Sequence, residues 1–151
     1  MKTANFVNQL PMLFVGSQCG ENLFMNDISN TATVELADAV TNAFNSNDID
    51  RVMSFFAENA VFNQAAGPEI HGISTVGADA IRAVFVGMFE RVESVKWEPI
   101  DTRVDGDKAF CQSRRTAHFP SGEVEDCHMV DILTFLDNKI IHKDTYYKRV
   151  V

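Results

Sequence analysis

Apolar residues fall into two different rhythms along this chain, and the change between them divides it. Leu36, Val40 and Phe44 recur every four residues, with Ala37 and Ala43 beside them, which predicts an amphipathic helix over about 32–46. Asn45-Ser46-Asn47-Asp48 ends that helix and can cap a second, short one carrying Ile49, Val52, Phe55 and Phe56 on one side. Ala60 to Gln64 reads as a strand, and Ala66-Gly67-Pro68 through His71-Gly72 as a loop. Ile81, Val84, Phe85, Met88 and Phe89 then follow the i, i+3, i+4, i+7, i+8 spacing of a third helix over 78–90. From about residue 93 the period becomes two. Strands fit 93–104, 107–119, 123–136 and 139–149, joined at Asp105-Gly106, Pro120-Ser121-Gly122 and Asp137-Asn138. Helices followed by a meander of strands predict an α+β fold, with the helices on the concave face of a curved sheet.

Length and composition narrow the reading. The 151 residues suffice for one domain with a real core. Twelve Phe against one Trp and two Tyr predict an aromatic interior largely without hydroxyls. The net charge of −8 argues against nucleic acid and anionic membrane as partners. No apolar run approaches the roughly 20 residues of a membrane span. Residues 1–30 read as an N-terminal arm before a domain over 31–151. The arm's Leu10–Gly16 stretch faintly resembles a signal peptide but is broken by Asn8, Gln9 and Pro11, and Met25 offers an alternative start. Cys19, Cys111 and Cys127 form no CxxC, so free thiols and a cytoplasmic, reducing setting are expected. Strand parity as read here puts Cys111 and Cys127 on opposite faces.

Five pieces in order carry a family likeness: Phe44-Asn45-Ser46-Asn47-Asp48, Phe55-Phe56-Ala57-Glu58-Asn59-Ala60, His71-Gly72, Gly77-Ala78-Asp79-Ala80-Ile81-Arg82, and the hairpin from Asp131 to Tyr147. Over about 33–149 the chain resembles the nuclear transport factor 2-like superfamily, which includes SnoaL-like polyketide cyclases, ketosteroid isomerases and limonene epoxide hydrolases. The resemblance implies a cone: three N-terminal helices packed on a curved, mostly antiparallel sheet enclosing a pocket. It also implies that Asp131 points into that pocket.

Side chains alternate across a strand. With Asp131 as anchor, the parity reading places Cys127, Met129, Leu133 and Phe135 on its face. It adds Phe110, Gln112, Arg114, Thr116 and His118 from the preceding strand, and Ile141, Lys143, Thr145 and Tyr147 from the last. Phe62 and Gln64 join from the first strand, and Val95 and Trp97 supply an apolar wall. The expected catalytic set is Asp131, Arg114 and Lys143. Phe62, Gln64, Trp97, Gln112, Met129, Thr145 and Tyr147 are expected to bind substrate. A few polar groups on an apolar wall suit a small apolar or carbonyl-bearing ligand. Asp131 with Arg114 or Lys143 also reads as a structural ion pair, and Gln64 and Gln112 as plain hydrogen-bond partners. His71 sits near the expected mouth, His118 near a strand end, and His128 and His142 outside.

The chemistries of the superfamily test these positions. A ketosteroid isomerase needs a base where this chain has Gln64 and a tyrosine where it has Val40, so only its oxyanion position, Asp131, is matched. Beside two cations, Asp131 reads as a carboxylate rather than a hydrogen-bond donor. An epoxide hydrolase needs two carboxylates bridged by an arginine, and the matching positions are Gln112, Arg114 and Thr145. No ligand spacing for a metal and no glycine-rich phosphate loop is present, so no cofactor is expected. Two expectations remain: a cofactor-free isomerase, cyclase or lyase with Asp131 as acid/base, or a non-catalytic binding or protein-interaction module of the same fold. A homodimer is expected through the outer sheet face, on which Ala109, Cys111, Ala117, Val130, Ile132 and Ile140 are placed.

Overall fold

A computed structural model describes residues 31–148; the arm at 1–30 and Cys19 lie outside the described residues. Helix α1 (Val34–Asn45) starts where Thr33 Oγ1 accepts the Leu36 amide at 3.1 Å. Asn47, at φ 54°, turns the chain into α2 (Ile49–Met53), whose Asp48 cap accepts the amides of Asp50 and Arg51. Strands β1 (Phe56–Asn63) and β2 (Ser74–Val76) follow, then helix α3 (Ala78–Glu90). The meander is β3 (Ser94–Asp105), β4 (Lys108–His118), β5 (Val124–Leu136) and β6 (Lys139–Tyr147). Thus α3 and the four later strands lie within about a residue or two of their sequence positions. β1 begins earlier than expected, and β2, too short to show a period, was not foreseen.

The strands form one six-stranded sheet in the order β2-β1-β6-β5-β4-β3. Among the described strands only β1 and β6 run parallel; every other pairing is antiparallel. The β5–β6 turn is Asp137-Asn138, both left-handed at φ 50° and 60°, the geometry of a two-residue hairpin that follows the strand twist. The helices lie on the concave face, α1 against β3 and β4 and α3 against β1.

The core is aromatic, as the composition suggested. Phe85 of α3 is nearly wholly buried, with ring centroids 5.1 Å from Phe44, 5.5 Å from Phe56 and 5.1 Å from Phe62. Asn45, the last residue of α1, clamps β3: its amide nitrogen donates to the Trp97 carbonyl and its oxygen accepts the Trp97 amide, each at 2.8 Å. Gly72 holds the loop after β1. At φ +78° its added Cβ would lie 1.8 Å from the Gln64 carbonyl oxygen, so only glycine allows that approach.

β4 faces the opposite way from the parity reading. Ala109, Cys111, Ser113, Arg115 and Ala117 are buried beneath the helices, whereas Phe110, Arg114 and His118 are exposed. Cys111 lies opposite Asp131, and Arg115 opposite Cys127, so both described cysteines share the inner face. The connection between β4 and β5 is centred on Ser121, and odd-numbered positions therefore meet odd-numbered positions. A bulge at Thr134/Phe135 makes a second local shift: Ile140 is fully buried against Phe135, and Ile141 is half-buried. Ala109, Cys111, Ala117 and Ile140 are thus removed from the outer face, which keeps Phe110, Val130, Ile132 and Tyr146.

Because Phe85 joins three rings from α1 and β1, Phe85→Ala is expected to cost about 3–5 kcal/mol of stability. Phe110→Ala, on the outer face, should cost far less. Urea unfolding of the two variants checks the contrast.

Candidate functional site

Four neighbouring strands build one polar floor. Lys143 of β6 pairs in register with Phe62 of β1 on one side and Leu133 of β5 on the other. Thr145 lies directly opposite Asp131, and Asp131 directly opposite Cys111. Alternation therefore brings Lys143, Thr145 and Asp131 to the same face within side-chain reach. The Lys143 ammonium donates to Thr145 Oγ1 at 2.8 Å, and the Thr145 hydroxyl donates to Asp131 Oδ1 at 2.5 Å. Lys143 also forms a direct ion pair with Asp131 Oδ1. The lysine side chain is 6% exposed and the aspartate 19%. Lys143 Nζ lies 5.9 Å from the Phe44 ring centroid and 5.5 Å from that of Phe62, within cation–π range of both. Among the described residues no hydrogen bond reaches Asp131 Oδ2.

The walls above this floor are apolar. Val40, Thr41 and Phe44 come from α1, Phe85 and Met88 from α3, Trp97 from β3, and Met129 and Leu133 from β5. Adjoining this inner chamber, and sharing Phe62, Phe85, Met88, Thr145 and Tyr147 with it, is an outer one lined also by Gln64, Arg91, Arg115, Phe119 and Glu125. The inner chamber has a volume of about 50 Å³ and the outer one of about 250 Å³. The inner chamber thus admits a functional group and the outer one the body of a small molecule. Burial, with Asp131 nearby, pushes the Cys111 thiol up to about 12, so this cysteine is a neutral wall rather than a nucleophile. Burial also raises the pKa of Tyr147, although 44% of its residue surface stays open.

The expected residues divide cleanly. Asp131, Lys143, Thr145, Phe62, Trp97, Met129 and Tyr147 line the inner chamber, and Gln64, just beyond β1, lines the outer one. Arg114 and Gln112 do not reach either. Arg114 lies on the outer sheet face, its Nε donating to Asp126 Oδ1 at 2.8 Å and its Nη2 to Oδ2 at 2.5 Å. Gln112 sits with His128, Val130 and Tyr146 on that same outer side. His142 meets Asn63 at 3.0 Å, and His71 and His118 are exposed. The arginine that does enter is Arg115, next to the expected one. It was signalled by the small residues Ala109, Cys111, Ser113 and Ala117 on its parity, which suit close packing under helices. No group of three or more His, Cys, Asp or Glu among the described residues is placed to hold a metal ion. No helix among them is long and apolar enough to cross a membrane.

A buried pair is costly to break and cheap to replace whole. Lys143→Met leaves the partly open Asp131, whereas Asp131→Asn leaves an ammonium in an aromatic cage. We therefore expect Asp131→Asn to destabilise by about 3 kcal/mol, and the double variant Asp131→Asn/Lys143→Met to lose less than the two single losses combined. A double-mutant cycle in urea measures this directly.

Comparison with known proteins agrees with this architecture. A hypothetical protein with a ketosteroid isomerase-like fold from Catenulispora acidiphila, in complex with trimethylamine, is 17% identical with a TM-score of 0.68, the alignment covering 78% of this chain and 88% of that one. A putative polyketide cyclase from Sinorhizobium meliloti is 24% identical with a TM-score of 0.62, covering 75% and 94%. TerC, co-crystallised with polyporic acid, is 17% identical with a TM-score of 0.65, covering 76% and 90%. At these identities the likeness is one of fold. No curated protein matches the sequence. The SnoaL-like domain matches residues 37–143, the span from α1 to the lysine of the polar floor; the chain belongs to the SnoaL-like domain family.

Proposed function

We propose that this protein binds a small, largely apolar molecule with its carbonyl end on the Asp131–Thr145–Lys143 floor, and that it acts on it as a cofactor-free acid/base catalyst of the isomerase, cyclase or lyase kind. The observation that carries this reading is the carboxylate with one uncommitted oxygen beside a buried ammonium, at the bottom of an apolar chamber. Asp131 Oδ2 takes a proton from the carbon next to the carbonyl. The C–H electron pair becomes the enolate π bond, and the carbonyl π pair moves onto oxygen. The Lys143 ammonium, with two of its three N–H groups already on Thr145 and Asp131, stabilises that oxyanion with the third. The proton then returns from Asp131 to carbon, at the same or another position. Thr145 fixes the carboxylate and ties its orientation to the lysine. That two solved structures of the same fold hold trimethylamine and polyporic acid supports a small-molecule role.

One observation favours a second reading, ligand binding without turnover: Asp131 Oδ1 is engaged by both Lys143 and Thr145, which commits that oxygen to the floor rather than to a substrate proton. Deuterium exchange at the acetyl methyl of 2-acetylnaphthalene, followed by NMR, separates the two. The catalytic reading expects the protein to accelerate exchange and Asp131→Asn to lower the acceleration by a factor of about 100 or more. Saturable binding without any acceleration would sink catalysis and leave the binding module.

We further propose that the protein is a homodimer through the outer sheet face, where Phe110, Val130, Ile132 and Tyr146 remain. Light scattering at micromolar concentration should give twice the 16.8 kDa chain mass; a mass of one chain contradicts the proposal.

A further inference from the structure

The outer chamber contains a cation whose hydrogen bonds are incomplete. Arg115 has a side chain 6% exposed, and it pairs through Nη1 with Glu125, whose own side chain is 44% exposed. Its Nε is buried and has no hydrogen-bond partner. The guanidinium carbon lies 5.9 Å from the Trp97 ring centroid, so an aromatic ring lines one side of it. The neighbouring Cys127 thiol hydrogen-bonds the arginine, but a thiol is only a weak acceptor. A guanidinium offers five donors in a fixed planar fork, and one carboxylate oxygen uses only one of them. Buried donors of this kind are normally paired. Arg91 lines the same chamber, so two arginines face one glutamate there, in a protein whose net charge is −8. Local positive charge against that background selects for an anion.

We infer that Arg115, with Arg91, forms a carboxylate-binding subsite at the outer end of the cavity, so that the ligand is elongated, with a carbonyl at one end and a carboxylate at the other. This deepens the reading of Asp131 and Lys143 as the carbonyl end and rests on it. The spacing follows from the sheet. Cys111 lies opposite Asp131, and Arg115 is four residues further along β4, so the two positions are about 13 Å apart along the strand. Side chains reaching toward the ligand from both ends leave a span of about 10 Å between its polar groups. The two chambers share Phe62, Phe85, Met88, Thr145 and Tyr147 as lining, so they lie side by side, and the proposed ligand places a flat hydrocarbon body across this shared, mostly apolar wall. Glu125 is the exchangeable partner: a ligand carboxylate takes the unused donors of the fork, or replaces Glu125 as that side chain moves into solvent.

The test compares two probes, 6-acetyl-2-naphthoate and 2-acetylnaphthalene, by calorimetric titration of the full chain. The wild-type protein should bind the carboxylate probe at least about tenfold more tightly. Arg115→Met, which keeps volume and removes the charge, should erase that ratio, and Arg115→Lys should retain part of it. Glu125→Gln, a change at an accessible side chain, should raise the ratio several-fold by removing the competing carboxylate, and it gives an independent reading if Arg115→Met folds poorly. Equal affinities in the wild type, failure of both probes to bind, or a ratio untouched by Arg115→Met and Glu125→Gln would each overturn the subsite. Asp131→Asn keeps the two conclusions apart. If it changes neither ketone binding nor methyl exchange while Arg115→Met still erases the carboxylate preference, the reading of the floor fails and the Arg115 subsite stands.

Discussion

A lysine ammonium buried between two phenylalanine rings is the constraint around which the interior is arranged. Removing such an ion from water costs several kcal/mol even after relaxation, and the surrounding rings return only part of that. The remainder must come from a carboxylate, and the sheet register supplies one. Thr145 is opposite Asp131, and Lys143 is two residues before Thr145 on the same face. The hydroxyl between them accepts from one and donates to the other. Among the described residues, no helix places a charged side chain on the lining of this chamber. α1 and α3 provide Val40, Phe44, Phe85 and Met88, which keep water away and strengthen the electrostatics they enclose.

That division of labour explains which parts of the molecule were legible in the sequence. The helices announce themselves through period alone, because each has one buried stripe: Ala37, Val40, Ala43 and Phe44 in α1, Ile81 and Phe85 in α3. The β5–β6 hairpin was legible because Asp137-Asn138 permits one turn geometry. With Asp131 placed inward by the family resemblance, Lys143 and Thr145 followed from parity within that hairpin, although the bulge at Thr134/Phe135 exchanged the roles of Ile140 and Ile141. A bulge leaves the composition unchanged and alternation cannot register it.

β4 was misread for a different reason. Parity is safe along one strand, but carrying it to a neighbour requires the length of the connection. An odd-length connection centred on Ser121 puts odd positions opposite odd ones, so Cys111 and not Gln112 flanks Asp131. Side-chain volume carried the same information. Ala109, Cys111, Ser113 and Ala117 are too small for a face meant to fill a cavity by itself and suitable for one pressed by α1. The larger Phe110, Gln112 and Arg114 fit the open face, where Arg114 finds Asp126 at the surface. One consequence is chemical. The reversal exchanges a solvent-exposed arginine for one that is 6% exposed, and so moves the second cation from outside the protein to inside the cavity.

The two internal ion pairs then differ in a way that the fold enforces. Asp131 is 19% exposed and is tied by Thr145 as well as by Lys143, whereas Glu125, one residue into the open end of β5, is 44% exposed and has Arg115 as its only hydrogen-bond partner among the described residues. Solvent access weakens an ion pair by screening and by offering water as a competing partner. The inner pair is therefore fixed and the outer pair exchangeable. Helices covering the inner pair and solvent reaching the outer one produce this gradient without any moving part: a fixed pair where the proposed chemistry needs held geometry, and an exposed carboxylate where the proposed anion would enter.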